Sequence, residues 1–97
     1  MTLTITMSTP GFSETEVGET VAYALQNGAT LAKLRYDHFR ESCLRFEKEY
    51  GMTSDEFWAK FESGELGDEA DYFDWYAAKR GADLWDKRYR ILTQASA

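Results

Sequence analysis

From Ala22 to Tyr50 the chain repeats apolar or small residues at alternating steps of three and four: Ala22, Leu25, Ala29, Ala32, Tyr36, Phe39, Cys43, Phe46 and Tyr50. An α-helix completes a turn in 3.6 residues, so this series draws one stripe down one side of a long helix. No strand carries that period. Whatever this chain folds into must supply an element that covers the stripe.

The ends of this helix are marked locally. Ser13-Glu14-Thr15-Glu16 has the S-x-x-E form of a capping box and predicts a start there. Gly51 predicts the stop, because a glycine just past a helix adopts the left-handed conformation without strain. Asn27-Gly28 reads as a weak point or kink within the helix. Leu31, Leu34 and Leu44 lie off the stripe and widen the apolar face, which predicts packing against more than one neighbour.

Two further helices follow. Thr53-Ser54-Asp55-Glu56 is a second capping box, opening a short helix over about Ser54 to Ser63 with Phe57, Trp58 and Phe61 as its apolar face. Gly64 ends it, and Glu65-Leu66-Gly67 forms a tight connection. Asp68 reads as the N-cap of the last helix, with Glu69 and Asp71 favourably placed at its positive end. That helix has its own stripe of Trp75, Ala78, Ala82, Trp85, Tyr89 and Leu92. Asp83–Lys87 and Asp86–Arg90 are spaced as ion pairs on its exposed side. Ala78, Gly81 and Ala82 are small enough to admit another helix closely. The predicted fold is all-α: two long antiparallel helices plus a short connecting helix, with a short N-terminal strand-like arm. The arm is residues 1–12, where Leu3, Ile5 and Met7 alternate with threonines, and residues 13–97 form a single helical domain.

Charge narrows the function. The chain carries a net charge of −6, and Gly51 to Tyr76 alone holds eight acids against the single base Lys60. Direct binding of nucleic acid requires clustered bases and is not expected. The stretch from Ala77 to Ala97 is mildly basic, with five bases and two acids. No apolar run reaches the roughly 20 residues a membrane helix needs. The N-terminus lacks the features of a signal peptide. One cysteine, Cys43, fits a reducing compartment, so the expected location is cytoplasmic.

Chemistry-bearing residues are sparse. His38 is the only histidine and sits five residues from Cys43. That spacing is about 140° around a helix, a poor geometry for a nucleophile and its base. Cys43 lies on the apolar stripe, where a free cysteine acts as a small hydrophobe. Asp68, Asp71 and Asp74, with Glu65 and Glu69, present oxygen ligands of the kind that hold magnesium, calcium or manganese. They lack the spacing of an EF-hand, and Asp68 and Asp71 have a simpler role at a helix N-terminus. No cofactor, no metal and no enzymatic activity are expected.

What remains is the combination of acid and aromatic rings. Seven of the fifteen aromatics fall between Phe57 and Tyr76. The plainer account is that the rings fill a core and the acids form a solvated face. The alternative is that some rings are exposed anchors, since Trp and Tyr concentrate at interface hot spots. The run RFEKEYGMTSDEFWAKFESGELGDEADYFDWYAAKR resembles a motif of small acidic prokaryotic proteins, a "YGMS-x-E-x-F" step followed by "F-x-x-G-E-L-x-D-x-x-D-x-x-E/D-W". The matching positions are Tyr50, Gly51, Met52, Phe57, Phe61, Gly64, Glu65, Leu66, Asp68, Asp71, Asp74 and Trp75, and the similarity spans about residues 46–92. Such proteins are often the smaller member of toxin–antitoxin-like gene pairs. The resemblance implies a non-enzymatic protein-binding module, an antitoxin-like inhibitor of a basic, toxin-like protein encoded nearby. Its expected partner-binding residues are Glu65, Asp68, Asp71, Tyr72, Asp74, Trp75 and Tyr76. The alternatives are a homo-oligomeric helical structural or regulatory protein, a homodimer being the simplest, and then a carboxylate-based metal protein or enzyme.

Overall fold

A computed structural model of the chain describes residues 9–95. It contains α1 (Glu14–Tyr50), α2 (Ser54–Glu62) and α3 (Ala70–Ala95), in that order, and no strand among the described residues. The alternating segment Thr2 to Met7 lies outside the described residues.

The capping signals act where the sequence places them. Glu16 N–H donates to the Ser13 hydroxyl at 3.1 Å and Ser13 N–H donates to Glu16 Oε2 at 2.9 Å, completing the box. Phe12 and Val17 flank this cap as a hydrophobic staple and share a shallow apolar groove. At the other end Gly51 takes φ +67° and donates its N–H to Glu47 O. Around Thr53 only the forward half of the second box forms, Glu56 N–H donating to the Thr53 hydroxyl at 3.1 Å. The last helix begins at Ala70, so its flanking residue is Glu69, one later than the Asp68 expected from sequence.

The two long helices run antiparallel. Tyr50 meets Asp71, Phe39 faces Gly81 and Gly28 faces Leu92, so each advance along α1 is matched by a step back along α3. A helix of 37 residues at 1.5 Å per residue is about 55 Å long, and the molecule measures 59 × 22 × 22 Å. It is a rod two helices wide. By the same register the last residue of α3, Ala95, falls level with about Leu25. The first three turns of α1, Glu14 to Ala24, therefore extend past α3 with no helix beside them among the described residues.

Small residues allow the close approach. Ala29, Ala32, Ala78 and Ala82 are buried along the seam. A Cβ on Gly81 would lie 2.7 Å from the Phe39 ring, so the ring occupies the space that a side chain would take. Asn27-Gly28 does not break α1, which runs unbroken to Tyr50. Gly28 instead receives the Leu92 methyls, one of them 3.4 Å from where a Cβ would sit. The leucines predicted to meet further neighbours do not: Leu31, Leu34 and Leu44 are about half exposed or more.

At the closed end, rings meet rings. Phe57 and Trp75 are fully buried and stack at 4.0 Å with planes 6° apart, and Phe46 and Tyr50 stack more loosely on the same indole. Cys43 and Ala78 complete this cluster. Burial pushes the Cys43 thiol above its ordinary pKa, which keeps it a neutral packing group. A polar chain fixes the ring stack. Trp75 Nε1–H donates to the buried Ser54 hydroxyl at 2.9 Å, Ser54 N–H donates to Glu47 Oε2 at 2.9 Å, and Arg40 pairs with that oxygen at 3.1 Å. Burial raises the Glu47 carboxyl, but the Ser54 hydroxyl and amide and the Arg40 guanidinium outweigh it and hold the group below its ordinary pKa.

Candidate functional site

The acidic corner is built by the end of α2, the connection Glu65 to Glu69 and the first turns of α3. Its residues divide into those the fold consumes and those it leaves free. Trp75 is consumed completely: with no exposed surface and its N–H satisfied by Ser54, it belongs to the core and cannot touch a partner. This corrects its place among the expected contact residues. The reason is position, because Trp75 lies on the α3 stripe facing α1 while α2 closes over it.

Asp71, Tyr72 and Tyr76 are tied into the fold but half-buried rather than enclosed. Tyr50 O–H donates to Asp71 Oδ2 at 2.7 Å, which pins α3 to the end of α1 and pushes the Tyr50 phenol well above its usual pKa. Tyr72 packs its ring against Tyr50 and Phe57. Tyr76 stacks on Trp58 at 4.4 Å and donates its O–H to Glu62 Oε1 at 2.9 Å, which raises its pKa. These residues secure α2 against the hairpin. Lys79 does the same from further along α3, reaching Asp55 at 3.0 Å and Asp83 at 2.9 Å. The expected Asp83–Lys87 pair is thus replaced by Lys79–Asp83, while Asp86–Arg90 forms at 3.1 Å.

Glu65, Asp68 and Asp74 remain exposed, and none pairs with a base among the described residues. A ring outside the expected contact set is exposed as well. Phe73 is 53% exposed, held edge-on against Phe61 with ring centroids 5.6 Å apart. Its signal is its phase: two residues from Trp75 it lies about 200° around α3, facing away from α1. The exposed part of the corner thus comprises the Phe73 ring and three carboxylates that pair with no base among the described residues. Among the described residues no group of three or more His, Cys, Asp or Glu is placed to hold a metal ion. His38 and Cys43 do not meet: Cys43 is enclosed, while His38 is exposed and packs edge-on against Phe39.

The opposite flank of the hairpin has a different character. Arg35 and Arg88 both lie over the Trp85 ring, their guanidinium carbons 4.5 and 4.7 Å from its centre. Leu34, Arg35, His38, Phe39 and Trp85 line a shallow groove of about 370 Å³ there. No described helix is long and apolar enough to cross a membrane. Comparison with protein-family models, with curated proteins and with solved structures finds no match.

Proposed function

We propose that the chain is a non-enzymatic protein-binding module, acting in the cytoplasm as an antitoxin-like inhibitor of a basic protein encoded nearby. The observation that carries this reading is Phe73: a large apolar ring left half in water at the start of α3, on the same acidic corner that leaves Glu65, Asp68 and Asp74 exposed. An isolated exposed ring is unremarkable, but an exposed ring on a corner whose carboxylates the fold does not use suits a basic surface with an apolar pocket. The carboxylates speed and orient encounter, and the ring supplies the contact that water leaves. Asp71, Tyr72 and Tyr76 serve this surface by holding its scaffold, with their outer edges at its border.

The test is calorimetric titration of the purified chain with the basic product of the adjacent gene. Phe73→Ala is expected to weaken the complex at least tenfold, as hot-spot rings do, and Asp68→Asn with Asp74→Asn to flatten its salt dependence. A complex of undiminished affinity in the triple variant, or no complex at all, refutes the reading.

A further inference from the structure

We propose that the groove around Trp85 is the docking site for the acidic corner of a second copy of this chain, so that free molecules associate head to tail. This rests on the same corner as the function proposed above, but its test uses the chain alone and can fail independently.

The groove lies on the flank away from α2. Trp85 is six residues from Lys79 on α3, and Arg35 twelve from Glu47 on α1, each about 120° around its helix from a residue that holds α2. Among the described residues no further element covers this flank. Leu34 is 62% exposed, and Leu31 and Leu84 extend the same apolar rim along it. Arg35 and Arg88 rest on Trp85 but have no carboxylate within ion-pair distance among the described residues. In a chain of net charge −6, two such unneutralised guanidiniums on one ring are a local reversal of sign. They are directional donors suited to carboxylates.

The chain carries a surface complementary to this one. The corner offers Glu65, Asp68 and Asp74 for the guanidiniums and the Phe73 ring for the groove, whose volume exceeds that of a phenyl group. The two surfaces cannot meet within one molecule. Asp74 is level with about residue 46 of α1, eleven residues or about 16 Å along the rod from Arg35. A partner copy is therefore needed. Because the two surfaces differ, the contact is heterologous and extends into short open chains rather than closing a symmetric pair. It is small, with the charge-dominated character of weak transient interfaces. Self-association and capture of a basic partner would then compete for Phe73.

Sedimentation velocity over a concentration series tests this. The wild-type chain is expected to grow beyond a dimer at roughly millimolar concentration in low salt and to revert to monomer as salt screens the pairs. Arg35→Gln with Arg88→Gln removes the groove charges, and Phe73→Ala with Asp68→Asn and Asp74→Asn removes the corner. All of these positions are exposed, and unchanged helical content is the control for folding. Each variant alone is expected to be monomeric. An equal mixture of the two is expected to form a 1:1 dimer that grows no further, since it contains one intact corner and one intact groove. Wild-type chain that stays monomeric overturns the proposal and leaves the groove to an acidic segment of another protein. A closed symmetric dimer, or a mixture that fails to pair, overturns it equally.

Discussion

Replacing Gly81 by alanine tests the closeness of the two long helices. In an exposed helix this change stabilises by about 1 kcal/mol, because alanine loses less backbone entropy. Gly18 provides that reference, being helical with no atom within 4 Å of an added Cβ. Gly18→Ala should therefore gain up to about 1 kcal/mol, or up to about 4–8 °C in Tm for a domain of this size. At Gly81 the new carbon falls 2.7–2.8 Å from Cγ, Cδ1 and Cδ2 of Phe39. Comfortable carbon contacts are about 3.5–4.0 Å, so the ring must retreat by close to 1 Å. The atoms struck are at the base of the ring, and rotating its far edge gives no relief. Overpacking of this kind costs about 1–3 kcal/mol, which outweighs the propensity gain and leaves a net loss of about 1 kcal/mol. Thermal unfolding followed by circular dichroism should thus move in opposite directions for the two variants. Adding Phe39→Leu to Gly81→Ala should recover part of the loss, giving a coupling that the single changes do not predict. A Gly81→Ala protein that gains stability as Gly18→Ala does would refute the close packing of Phe39 on α3.

Ser54→Ala should cost about 1–3 kcal/mol in urea unfolding, because it strands the buried Trp75 N–H, and an effect below about 0.5 kcal/mol would show that the donor finds another acceptor. Glu47 has a folded pKa below the ordinary 4.5, so its stabilisation is fully present above that pH and is lost as pH falls through the folded value. Tm measured between pH 7 and pH 3 should consequently fall less steeply in Glu47→Gln, from a lower starting point, than in wild type. The raised pKa of Tyr50, caused first by its hydrogen bond to Asp71, has the opposite sign: its contribution is intact below the ordinary value of 10.0 and disappears as pH rises past it. Tyr50→Phe should remove that part of the alkaline loss, and identical Tm profiles from pH 8 to 11 would count against the contact.

Most of the fold was legible because its determinants are local. Ser13, Thr53 and Gly51 act on their own turns, and the three-four stripes state which side of each helix is covered. The pairing of ring against small residue was legible as well, since Phe39 needs something as slight as Gly81 across the seam. What the sequence left open depends on a third element. Lys79 turns to Asp83 rather than leaving it to Lys87, because Asp55 on α2 draws the ammonium to that side. Trp75 counted equally as anchor and as core until α2 closed over it and Ser54 took its N–H. Phe73 was hidden by its neighbours, since a ring beside so many core aromatics reads as one more of them. Leu31, Leu34 and Leu44 promised neighbours that the described residues do not supply.

The antiparallel register also dictates an order of assembly. Tyr50 and Asp71 are separated by 21 residues of chain, whereas Gly28 and Leu92, the last matched pair towards the open end, are separated by 64. Closing the longer loop outright costs about 1 kcal/mol more than closing the shorter one. The shorter loop also delivers the ring stack, the largest apolar reward in the molecule. Folding should start at the corner and zip outward, each formed pair bringing the next within reach. Opening reverses the path, so amide exchange should slow steadily from the N-terminal turns of α1 towards Cys43. The corner proposed to bind partners is then the first part of the chain to form and the last to come apart.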